Sequence, residues 1–280
     1  MPAIETSPQI YARTAGAIYL LVILFGGYSE GVVVNTLIIS GDPAATAHNI
    51  IAHAQLWNLS NLGNLIVPLI GTVQMVIEYL LLRPVSKPLA LMFLLLNAVS
   101  LAVEAVSKLF LLMVAPILDR ANGPSNFTPA QIYDLAAIAL NAHNLAFHIT
   151  LIFFGVAILI GGYLIFKSGY LPRLIGLLMG LAGTCYLIAS FARLFAPTLA
   201  DTIGPTILLP CLIGEASLCL WLLFKGVNVG KWRERLSQNE HSVVALKAMF
   251  GPATKSVSIE DMNAAIAKRG AAAGDTSSSE

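Results

Sequence analysis

The stretch Leu151-Ile-Phe-Phe-Gly-Val-Ala-Ile-Leu-Ile-Gly-Gly-Tyr-Leu-Ile-Phe166 decides the fold. It is apolar around its whole circumference, so neither an amphipathic helix nor an alternating strand describes it. With its upstream continuation, residues 135–166 carry no Asp, Glu, Lys or Arg. About 20 helical residues cross a hydrocarbon layer ~30 Å thick. Further stretches meet the same test, so spans are expected at 15–39, 58–82, 88–113, 135–166, 171–195 and 204–224.

Composition agrees. The 280 residues are 57% hydrophobic and 11% charged, with a mean hydropathy of +0.78, whereas soluble domains carry roughly a quarter charged residues. The lipid bilayer is the expected partner. A net charge of +1 supplies no basic face, which excludes nucleic acid. Cys185, Cys211 and Cys219 sit in apolar runs without Cys-x-x-Cys spacing and read as small buried hydrophobes. The first apolar run is longer than a signal-peptide core, and no small-x-small site precedes Ser40-Gly41-Asp42. It reads as a retained anchor.

Orientation follows from Lys and Arg. Arg13, Arg83, Lys87, Lys167, Arg173, Lys225, Lys231, Arg233 and Arg235 fall on one side, against Arg120 and Arg193 on the other. The expected architecture is an all-α, six-transmembrane-helix bundle with both termini cytoplasmic. It divides into a cytoplasmic N-terminus (1–14), a transmembrane domain (15–225) and a cytoplasmic tail (226–280), partly helical and then disordered.

The connections on the basic side, 83–88 and 167–173, are short and contain proline, which suits tight antiparallel returns. On the other side, Asp42-Pro43 reads as an N-cap and first-turn proline, predicting a short helix over 43–55. A break at 122–126 precedes Thr128-Pro129, which opens a fourth helix too long for the bilayer, with 130–146 standing above it. In the tail, 230–250 reads as an amphipathic helix with Trp232, Leu236, Val243 and Leu246 on its apolar side. Ser258-Ile-Glu-Asp261 reads as a capping box, and the polar segment 271–280 as disordered.

Ionisable groups inside spans cost ~2.5–3.5 kcal/mol each at the bilayer centre, so they face the bundle interior or a polar partner. They are Glu30, Glu78, Glu104, Lys108, Arg193 and Glu215. A rise of ~1.5 Å per residue places Glu30 and Glu104 ~22 Å from the cytoplasmic boundary, and Lys108, Arg193 and His148 at ~28 Å. Glu215 lies at ~14 Å and Glu78 at ~6 Å. Asn97, Ser100, Glu104 and Lys108 form a polar stripe on the third span, and Glu104 precedes Lys108 at the favourable i,i+4 spacing. Gly27 with Gly31, and Gly176, Gly180 and Gly183, predict close helix contacts.

A faint repeat relates Leu101-Ala-Val-Glu104-Ala105 to Leu212-Ile-Gly-Glu215-Ala216. Three spans per half would make such halves inverted, as in many transporters. The histidine pairs His48/His53 and His143/His148 are each spaced by five, which separates the rings on a helix. No metal site or cofactor is expected. Phosphate-binding and nucleophile-elbow signatures are absent from the sequence.

Two readings of the buried charges stand side by side. In one, Glu30, Glu104, Lys108, His143, His148, Arg193 and Glu215 line an outward-facing polar cavity between spans one, three, four and five. It would bind or carry a small solute or protons, with Glu215 as midplane gate or proton carrier. In the other, they are structural ion pairs that fix helix packing. An intramembrane enzyme using His143 or His148 with a carboxylate is an alternative, as is a regulatory or scaffold subunit acting through the tail. Oligomeric state is open.

Tyr11-Ala-Arg-Thr-Ala-Gly-Ala-Ile-Tyr-Leu-Leu, Gly41-Asp-Pro-Ala-Ala-Thr46, Leu151-Ile-Phe-Phe-Gly155, Lys167-Ser-Gly-Tyr-Leu-Pro-Arg173 and Ser190-Phe-Ala-Arg193 resemble a bacterial membrane family, domain of unknown function 4386. The resemblance covers about residues 11–224. It implies a helical bundle in the bacterial inner membrane and supplies no activity. Glu30, His143 and Arg193 match the family pattern. Val34 stands where the family often has an Arg and Thr150 where Gly is usual, which leaves Arg193 or Lys108 as the expected partner of Glu30.

Overall fold

Prolines open helix after helix: Pro8, Pro43 and Pro129 each take the first helical position, where a missing N–H forfeits no bond. Side chains cap two of these starts. Asp42 Oδ1 accepts from the Ala45 N–H at 2.9 Å. Thr128 and Gln131 form a reciprocal capping box, with N–H···O distances of 2.9 and 3.3 Å.

A computed structural model describes residues 7–123 and 126–249, together with 260, 262–264 and 266–267. Its described secondary structure is helical throughout. Six helices are long and apolar enough to cross a membrane: Pro8–Leu37, Ala54–Leu82, Lys87–Asp119, Pro129–Ser168, Arg173–Phe195 and Thr206–Phe224. The chain is an all-α, multi-pass membrane protein. The first helix starts inside the segment expected as an N-terminal extension, and the fourth spans 40 residues. The short helix expected over 43–55 is Pro43–Ala52, after which the chain turns at His53. The Ser258–Asp261 capping box, the side chains of Val243 and Leu246, and the segment 271–280 lie outside the described residues.

The spans form a ring in chain order. Each packs on its neighbour in sequence, and the first closes against the sixth. Such a ring leaves a central space that side chains must fill or leave open. Glycines bring the fourth and fifth spans together: a Cβ on Gly176 would lie 2.6 Å from Phe166 N, and one on Gly162 would lie 2.8 Å from Gly176 O. Gly27 and Gly31 differ from expectation, since a Cβ on either would meet nothing within 4 Å. They flank Glu30 in a π-helical stretch, Gly27–Val34, whose widened turn interrupts the first span.

At the end carrying Arg83, Lys167 and Arg173, Leu81 O belongs to the last turn of the second span, where carbonyls lack intrahelical partners. It accepts from the Tyr170 hydroxyl at 2.7 Å and from Trp232 Nε1–H at 3.0 Å. Burial pushes the Tyr170 phenol above its ordinary pKa. Gln9 spans the sixth span's exit, donating to Lys225 O at 2.9 Å and accepting from the Val227 N–H at 3.1 Å. At the opposite end, Asn49 donates to Leu37 O at 3.3 Å and Thr46 Oγ1 accepts from the Ile39 N–H at 2.9 Å. These bonds hold the short helix over an apolar cluster that includes Trp57, Leu111, Leu118 and Ile132.

The chain divides into two compact units, Met1–Leu236 and Ser237–Glu280. The first contains all six spans and the opening turns of the final helix, Val229–Met249. Trp232 is buried and Leu236 packs against the main apolar core.

Candidate functional site

Polar groups inside the bundle gather in two places. The first is an ion cluster on the π-helical turn. Lys108 Nζ lies 2.5 Å from Glu30 Oε1 and 3.7 Å from Glu104 Oε1, and sits 4.8 Å from the centre of the Phe147 ring. The positive charge beside Glu30 comes from the third span. His143 Nδ1 lies 3.1 Å from Ser107 O, and its Nε2 lies 3.4 Å from Glu30 Oε2. A carbonyl only accepts, so Nδ1 carries the hydrogen. Nε2 then meets the carboxylate favourably only with a proton between them. Lys108 and His143 are among the most buried polar side chains.

The second place is a central cavity of about 340 Å³, to which all six spans contribute. Glu78, Glu104 and Glu215 line it from the second, third and sixth spans. The Tyr186 hydroxyl donates to Glu215 Oε1 at 2.5 Å, and Gln74 Nε2 donates to Glu78 Oε1 at 2.9 Å. Asn97 and Ser100 complete the polar lining from the third span, the former donating to Phe93 O at 2.9 Å and the latter to Thr150 O at 3.1 Å.

The seven residues singled out from sequence are therefore not one group. Glu104 and Glu215 line the cavity; Glu30, Lys108 and His143 form the cluster beside Glu104. His148 lines neither: its Nδ1 is buried without a partner among the described residues, and its ring meets Phe147 edge-on. Arg193 is paired with Asp201 at 3.2 Å on an exposed surface, so Lys108 and not Arg193 is the partner of Glu30. Span two, absent from the expected cavity wall, supplies Gln74 and Glu78. Glu78 was legible as a buried charge, but depth counting alone set it apart; its i,i+4 spacing from Gln74 was the usable signal. Among the described residues, no three His, Cys, Asp or Glu side chains are placed to hold a metal ion.

A ring of six apolar helices around an acid-lined cavity defines a polytopic membrane protein with an internal polar chamber. The chain belongs to the family named domain of unknown function 4386, whose model matches residues 14–226. Comparison with curated proteins finds no match, and comparison with solved structures finds none.

Proposed function

We propose that this protein binds a small solute in the central cavity and moves it across the bacterial inner membrane, coupled to protons, with both termini in the cytoplasm. The carrying observation is the cavity itself, walled by every span and holding carboxylates at three depths. Buried carboxylates in membrane spans are costly and serve ion and proton pathways when they face polar space. Glu215, near the middle of its span and bonded to Tyr186, is the proton carrier. The excess of Lys and Arg at one end supports the orientation.

The test is proton flux in proteoliposomes loaded with a pH-sensitive dye and challenged with a panel of small amines, acids, alcohols and sugars. At least one solute should accelerate proton movement, and Glu215→Gln should abolish the acceleration. A Glu215→Gln variant that matches the wild type removes the residue's role. Silence across the whole panel removes coupled transport.

A further inference from the structure

We infer that the solute taken by the central cavity is a protonated amine with an apolar body, which rests on the reading of that cavity as a solute site. The donor and acceptor inventory of the wall carries this. The hydroxyl donors on the wall are already committed: Ser100 to Thr150 O, Thr150 to Ala146 O, and Tyr186 and Tyr19 to Glu215. Acceptors are left over. Asn97 uses its amide nitrogen on Phe93 O, and Gln74 uses its own on Glu78. Among the described residues nothing donates to the two remaining amide oxygens, although both side chains are more than nine-tenths buried, at 6% and 7% exposure.

Charge points the same way. Lys108 is claimed by Glu30 and Glu104 in the neighbouring cluster. Glu78 and Glu215 form no ion pair among the described residues; their partners are a neutral amide for the first and the phenols of Tyr186 and Tyr19 for the second. An occupant therefore meets two carboxylates, two amide oxygens and the second N–H of each amide, with no cation to offer it. An ammonium group, which donates three hydrogen bonds and accepts none, matches that wall, whereas a carboxylate or phosphate meets two carboxylates with no cation to offset them. The remainder of the wall is aliphatic and aromatic, with Val67, Leu101, Phe147, Phe154 and Leu212 among its members. It covers an apolar body, and its rings favour a nearby cation. The volume of about 340 Å³ suits a small ligand.

The experiment uses three probes of one shape, 2-phenylethylamine, 2-phenylethanol and 3-phenylpropanoate, on the full chain in nanodiscs at pH 7, with empty nanodiscs subtracted. Like the lysine head group, with its pKa of about 10, the amine is protonated there. It should bind at least tenfold tighter than the alcohol, and the carboxylate should show no saturable binding. The double variant Glu78→Gln/Glu215→Gln should weaken the amine at least tenfold while leaving the alcohol within twofold, which also reports that the cavity is intact. If the alcohol or carboxylate binds as tightly as the amine, the ammonium assignment falls while the solute-binding reading stands. If the double variant loses amine and alcohol alike, Asn97→Leu and Gln74→Leu replace it. Amine binding unchanged in both of those variants overturns the assignment. If no probe binds, the assignment also falls, and the proton-flux assay decides the broader reading separately.

Discussion

Lys108 Nζ stands 2.5 Å from Glu30 Oε1, so the third span is tied to the π-helical turn of the first. The lysine side chain is 2% exposed and the glutamate side chain 21%. The ammonium thus has no water to fall back on, and the carboxylate has little. Removing Lys108 leaves Glu30 and Glu104 without their shared cation, whereas removing all three charges does not.

Lys108→Met should therefore lower stability by about 3 kcal/mol, and the triple variant Glu30→Gln/Glu104→Gln/Lys108→Met should recover more than half of that loss. Thermal unfolding of the two variants beside the wild type checks the order. A single variant as stable as the wild type would mean that the pair does not hold the spans.

Arg193→Gln should behave differently, although Arg193 is also a charge at a span end. Its pairing with Asp201 is solvent-exposed, with side chains 43% and 74% accessible. Exposed pairs contribute roughly 0–1 kcal/mol, so the unfolding midpoint should barely move. A loss as large as that of Lys108→Met would place Arg193 in the ion cluster after all.

Packing gives a second contrast. Gly176→Val puts a side chain where a Cβ alone would lie 2.6 Å from Phe166 N, a backbone atom that cannot step aside. Overpacking of this sort costs about 1–3 kcal/mol or more. Gly27→Ala meets open space and removes a helix-interior glycine, so it should be neutral or gain up to about 1 kcal/mol. Equal destabilisation by the two variants would contradict the close approach of spans four and five.

The span count and the third-span stripe were legible in the sequence because lipid imposes a simple rule: long apolar runs, with polar residues confined to one face. Asn97, Ser100 and Glu104 do line the cavity, and Lys108 continues the stripe into the ion cluster. Partner choice was not legible. Arg193 and Lys108 have the same depth by helical rise, and their spans both stand two places from the first around the ring, so only the directions of the side chains bring Lys108 to Glu30 and leave Arg193 to Asp201. The π-helical turn was hidden for a related reason. Gly27 and Gly31 read as a packing motif, and nothing local distinguishes a glycine that admits a neighbouring helix from one that accompanies a widened turn. Tyr186 escaped because a tyrosine in an apolar run does not announce which carboxylate its hydroxyl will reach.

The tail offers the last test, because one carbonyl serves two donors. Leu81 O accepts from both Tyr170 and Trp232. Tyr170→Phe or Trp232→Phe alone leaves it one partner and should cost about 1 kcal/mol, or ~2–4 °C in midpoint for a chain of this size. The double variant leaves a buried helix-end carbonyl with neither donor, so its loss should exceed the sum of the singles, as expected for side chains that share a partner. Deleting 237–280 should leave the bundle's unfolding midpoint unchanged, since Trp232 and Leu236 belong to the first unit and remain. Deleting from Lys225 onward removes Trp232 and the Gln9 contacts to the Lys225 carbonyl and the Val227 N–H, and should lower the midpoint clearly. If the shorter deletion is as damaging as the longer one, the anchoring of the sixth span's exit does not reside in these contacts.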